Sequence, residues 1–114
     1  MQIVFKSLAA LALSLLAPLA SAQNMPAGAL SAGSLATQKL IDNATLAVMA
    51  NVARQGCRNA QNFAPYVMRN PVTKGAAKMW QEKWLVFGCG KRYTVDLLLM
   101  EDGAGGTDYT ILQK

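Results

Sequence analysis

The spacing of apolar residues changes four times along this chain, and each change marks a boundary. Leu8 to Leu19 is an almost unbroken apolar run, preceded by Lys6 and followed by the small residues Ala20-Ser21-Ala22. A positive start, a short apolar stretch and a small-residue triplet are the layout of a secretory signal peptide over residues 1–22. No later apolar run is long enough to span a bilayer, so the mature product is expected to be soluble, without a transmembrane segment. Residues 23–33 are rich in Gly and Ala and have no period, which reads as a flexible arm. Ser34 offers an N-cap. From there Ile41, Ala44, Thr45, Val48 and Val52 recur on one helical face, with Met49 at its edge, while Lys39, Asp42, Asn43 and Leu46 lie elsewhere. Arg54 and Gln55 close the last turn, and Gly56 suits the left-handed position after it. The spacing therefore predicts a helix over 35–55.

The stretch 58–74 has neither period. Pro65 and Pro71 interrupt it, and Arg58-Asn59-Ala60-Gln61-Asn62 reads as a loop or a short helix. Phe63, Tyr66, Val67 and Met68 are expected to reach the core. Beyond it the period falls to two. Residues 77–87, 92–100 and 107–112 are strand candidates, separated by Gly88-Cys89-Gly90 and Gly103-Ala104-Gly105-Gly106. Such short connections make an antiparallel meander. In the first of these strands Trp80, Glu82, Trp84 and Val86 share a face. In the second Tyr93, Val95, Leu97 and Leu99 do. The opposite face still carries Leu98, Met100 and Leu112, so it is expected to be covered by the 58–74 segment or by a partner. The fold class is α+β: one N-terminal amphipathic helix on a three- to four-stranded antiparallel meander, forming a single small domain over 34–114.

Cysteine usage changes this picture. Cys57 and Cys89 are the two cysteines, and an even pair in an exported chain reads as a disulfide. It would tie the helix end to the turn between the first two meander strands. A domain this small stabilises itself only marginally by its core, so a covalent staple matters.

A resemblance enters through the same region. Trp80-x-Glu82-x-Trp84, Cys89-Gly90-Lys91 and Gly105-Gly106-Thr107 resemble a pattern of small exported bacterial proteins of unassigned function. It spans residues 80–109. It implies a similar sheet with a disulfide at the Cys-Gly turn, and it brings no activity with it.

Charge is unevenly placed. The formal net charge is +5, one less once Lys6 leaves with the leader. Asp42 and Glu82 are the only acids of residues 23–92, against many Lys and Arg, whereas 93–114 hold Asp96, Glu101, Asp102 and Asp108 against Lys114 alone. A basic body can steer acidic proteins or anionic envelope polymers toward it; it can equally be ordinary solubility charge. Export argues against a nucleic-acid partner.

The chemistry is narrow. The chain has no histidine, which removes Ser-His and Cys-His nucleophiles and almost every catalytic zinc site. Oxidised cysteines offer no thiolate, and no phosphate-binding glycine loop is present. Glu82, between two tryptophans, is the one candidate general acid, with Asp96 as a conceivable second carboxylate in a hydrolase. The alternative is a cross-strand ion pair beneath packed tryptophans. Glu101, Asp102 and Asp108 around the glycine tip read as a turn rather than a calcium loop. Met25, Met49, Met68, Met79 and Met100 are too dispersed for a copper site and read as packing. No cofactor, metal or catalytic residue is assigned.

The candidate binding residues are Trp80 and Trp84 with Lys78, Lys83, Lys91 and Arg92. Aromatics beside cations suit glycan stacking or a protein hot spot; two core tryptophans under a solvated basic rim are the other reading. The expected function is that of a small exported, periplasmic or secreted, non-catalytic binding protein. Its partner would be another envelope protein, in an inhibitor or accessory role. The alternatives are an anionic envelope polymer such as peptidoglycan or lipopolysaccharide, and a small hydrolase using Glu82.

Overall fold

The structure is a computed structural model that describes residues 25–112; the expected signal peptide, residues 1–22, lies outside the described residues. Strand β1 (Ser31–Ala32) comes first, then helix α1 (Gln38–Arg54), then β2 (Ala60–Lys74), β3 (Ala77–Gly88), β4 (Lys91–Glu101) and β5 (Thr107–Leu112). The strands form one antiparallel sheet in the order β1-β2-β3-β4-β5. The α+β class holds, with two corrections. The sheet has five strands rather than three or four, and the helix is not N-terminal, because β1 precedes it. Among the described residues no helix is long and apolar enough to cross a membrane.

The fourth long strand comes from the segment expected to be a loop or short helix. All of 60–74 is strand β2, paired with β3 through Phe63↔Val86, Pro65↔Trp84 and Val67↔Glu82. The prolines are tolerated for an identifiable reason. A proline cannot donate to a ladder, so it survives on an exposed edge or at an irregularity. β1 covers only Tyr66 and Val67, which leaves most of β2 an edge. Pro71 lies inside the register shift between Arg69 and Val72. The last residues of the expected arm supply β1, and Leu30 N–H and Gly33 N–H donate to Val67 O and Pro65 O, each at 2.8 Å.

Helix α1 lies on one face of the sheet. Leu40, Ala44, Val48 and Val52 are fully buried, and Ile41 packs beside them. Each buried Leu or Val removed from water contributes roughly 1.5–3 kcal/mol. The buried stripe keeps Ala44, Val48 and Val52 but has Leu40 and Asn51 where Ile41 and Thr45 were expected, and Thr45 turns its hydroxyl back to Ile41 O at 2.7 Å. Thr37 rather than Ser34 caps the helix, accepting from Leu40 N–H. At the other end Gly56 takes φ +109 just beyond the C-cap Gln55. Facing the helix are Trp80, Trp84 and Val86 of β3 and Val95, Leu97 and Leu99 of β4, all buried.

Cys57 and Cys89 are joined, with Cα atoms 5.9 Å apart. A crosslink closing 32 residues lowers the entropy of the unfolded chain by the equivalent of about 3.7 kcal/mol. Cys89 occupies the two-residue turn between β3 and β4 at φ 53, with Gly90 at φ 69. Two successive left-handed residues match the twist of a tight hairpin, and a cysteine there is unusual enough to need its anchor.

Candidate functional site

The helix-facing side of β3 is organised around one carboxylate. Glu82 is 1% exposed, and alternation places Trp80 and Trp84 on its face, one residue removed on either side. Both indoles turn inward to it. Trp80 Nε1–H donates to Glu82 Oε2 at 2.7 Å, and Trp84 Nε1–H donates to Oε1 at 2.9 Å. The chain between β1 and α1 closes the remaining side: Ser34 Oγ–H and Leu35 N–H each donate to Oε2 at 2.9 Å. Four donors surround this carboxylate, and among the described residues no cation forms an ion pair with it. An ionised carboxylate accepts only, so the cage is fitted to it. Its desolvation is offset by hydrogen bonds alone. Among the described residues every buried side-chain nitrogen or oxygen has a partner.

A second acid pins the same connection two residues further on. Glu101, 7% exposed, accepts from Thr37 N–H at 2.9 Å and pairs with Lys78 Nζ at 3.5 Å. Burial pushes the Glu101 carboxyl up; the Thr37 backbone and side-chain hydrogen bonds and the Lys78 ammonium outweigh it and hold the carboxyl below the ordinary glutamate range. Residues 34–37 thus form a strap laid over the sheet and fastened at two carboxylates. Asp102 instead holds the β4–β5 loop together. It accepts from Ala104 N–H at 2.7 Å and Gly106 N–H at 2.8 Å, and these bonds set its carboxyl below the ordinary range.

The expected binding residues are dispersed. Trp80 and Trp84 are 2% and 1% exposed, so the indoles form no broad aromatic surface, although Trp80 borders the groove described below together with Lys78. Lys78 lies over the Trp80 ring, 5.4 Å from its centroid, and belongs to the Glu101 pair. Lys83 is on the opposite face, 3.3 Å from Asp96. Glu82 and Asp96 are therefore on opposite faces too, and the two carboxylates do not form a pair. Lys91 and Arg92 are exposed at the disulfide-bonded turn, at the far end of β3 from Lys78. The tryptophan–cation cluster expected from sequence is thus three separate arrangements.

The face away from the helix carries the accessible features. Strand β2 lies within the sheet and does not cover this face. Leu30, Met68, Val72, Met79, Leu98 and Met100 line an open groove of about 790 Å³, with Arg69, Lys74 and Lys78 also contributing and no carboxylate among the lining residues. Val72 is 72% exposed and Met79 40%. Period two does place Leu98 and Met100 on this face. Met68 and Val72 were hidden, because their strand was not recognised. The methionines expected to fill the core instead line a surface here, at Met68, Met79 and Met100.

The chain matches no family model, no curated protein and no solved structure.

Proposed function

We propose that this is a small exported binding protein, periplasmic or secreted, that works without catalysis by receiving an apolar, acid-bearing segment of another envelope protein in the groove on its outer sheet face. The observation that carries the reading is the lining: thioether and aliphatic side chains bordered by Arg69 and Lys74, with no acid. Flexible methionines conform to varied apolar partners, and a cationic border selects for carboxylates alongside them. An open apolar groove on a stapled scaffold is the usual form of a docking surface. The caging of Glu82 supports the non-catalytic reading, because all four of its contacts are donors of the protein itself.

A photo-crosslinking side chain at Met79, in the groove, is expected to give one discrete adduct with an envelope protein. The same group at Leu46, exposed on the helix, should give none. Val72→Asp should suppress the Met79 adduct with unfolding changed by no more than about 0.5 kcal/mol, as for an exposed site. Adducts at Leu46 alone, or a Met79 adduct indifferent to Val72→Asp, would overturn the assignment.

A further inference from the structure

The disulfide gathers a second surface that the groove does not use. Arg54 comes from the last turn of α1 and Arg58 from the connection after Cys57. Lys91 and Arg92 come from the start of β4, just past Cys89. All four are exposed. They fall at one end of the molecule because Cys57 is bonded to Cys89 and because Ala60 pairs with Gly88. Among the described residues none of the four is in a salt bridge: the two ion pairs present, Lys78–Glu101 and Lys83–Asp96, use other cations. The acids lie elsewhere, with Asp102 and Asp108 at the opposite end of the hairpins.

Two further features bear on what this end can meet. Phe87, 39% exposed, stands directly across the ladder from Arg92, one rung in from the turn. A large apolar ring beside cations at a hairpin tip suits the boundary between headgroups and acyl chains. The carbonyl end of α1 would repel an anion, but it is occupied. Gln55 N–H donates to Asn51 O and Val52 O, Gly56 N–H to Ala53 O and Cys57 N–H to Val52 O. The cations spread over an end of the molecule rather than closing around one point, so a surface of many phosphates fits them better than a single small anion.

We propose that the disulfide-bonded end docks on the phosphate headgroups of an anionic bilayer surface, with Arg54, Arg58, Lys91 and Arg92 as the electrostatic contacts and Phe87 as the interfacial one. This contact is separate from the groove, which lies at the other end of β3, and leaves it free for a protein partner.

The test is co-sedimentation of the mature, oxidised protein with vesicles of phosphatidylglycerol mixed into phosphatidylcholine, against phosphatidylcholine alone. Binding is expected only with phosphatidylglycerol and should weaken as salt rises. Each cation removed near an anionic leaflet lowers partitioning about fivefold, so Lys91→Gln with Arg92→Gln should lower it roughly 25-fold. Phe87→Ala should weaken it further. Lys39→Gln removes the same charge at the opposite end, beside Gly105, and should change it less than about twofold. Equal binding to neutral vesicles, or equal losses from Lys39→Gln and Lys91→Gln, would overturn the proposal. Retention on soluble polyphosphate with none on vesicles would replace it with a soluble polyanion. Crosslinking at Met79 is unaffected by any of these outcomes, so the two surfaces stand or fall apart.

Discussion

At the scale of single residues, Glu82 is held by four hydrogen bonds. Its two oxygens are shared among two indoles, a hydroxyl and a backbone amide, drawn from β3 and from the strap. Glu82→Gln keeps the shape and replaces one acceptor oxygen by a donor, which leaves an indole or the strap facing an N–H. A lost charge-assisted bond with an unsatisfied buried donor costs roughly 2–4 kcal/mol. Urea unfolding should show that loss, together with a change in tryptophan fluorescence of the folded state. The Trp-x-Glu-x-Trp spacing was fully legible as a shared face. Whether that face was a binding surface or a sealed cage was not, because two of the four donors come from Ser34 and Leu35, distant in sequence.

At the scale of elements, the strap and helix depend on Glu101 as well as on their own apolar stripe. The Glu101 carboxyl lies below its ordinary range in the folded protein. A carboxylate depressed in this way contributes stability that is fully present above its unfolded value. That contribution is lost as pH falls through the folded one. Stability measured from pH 7 down to pH 3 should therefore fall at the acid end, and Glu101→Gln should flatten that part of the profile. Within the helix, Leu40→Ala removes the leading residue of the buried stripe and should cost about 2–5 kcal/mol, read by the same unfolding experiment. Met49, expected at the edge of that stripe, is 40% exposed, and Met49→Ala should change stability far less. The helix's rotation on the sheet favours Leu40 and Asn51 and goes with a strap that enters at Thr37, whose N–H donates to Glu101. Periodicity alone cannot supply that angle.

For the whole molecule, the staple and the sheet divide the labour. The helix rests on β4 and β5 and touches β2, while Cys57–Cys89 fastens its end to the β3–β4 turn. Replacing both cysteines by serine should lower stability by roughly 3–4 kcal/mol if loop closure dominates. For a domain of this size that loss should lower the thermal unfolding midpoint by roughly 12–32 °C. It should also scatter the cations at that end, so the reduced form should bind anionic vesicles more weakly than the oxidised one. The same sheet packs one face under the helix, while the other is covered only in part, with Leu85 buried near Met25 and Ala27 and the Met79 end accessible.

Sequence by itself determined the helix, the three C-terminal strands, the cysteine pairing and which side chains share a face. All of these follow from local period, turn chemistry and the reactivity of paired thiols. It did not reveal β2: a strand with two prolines is stable only where a neighbour leaves its edge open, and that neighbour is a matter of topology. Nor did it say which shared face would be covered. Alternation sorts side chains into two sets, but the packing of α1 and the strap decides which set meets water. Burial of both tryptophans, the groove at Met79 and the placing of Arg54 and Lys91 at one end by the Cys57–Cys89 bond are thus tertiary outcomes. Each brings together residues that no repeat in the chain connects.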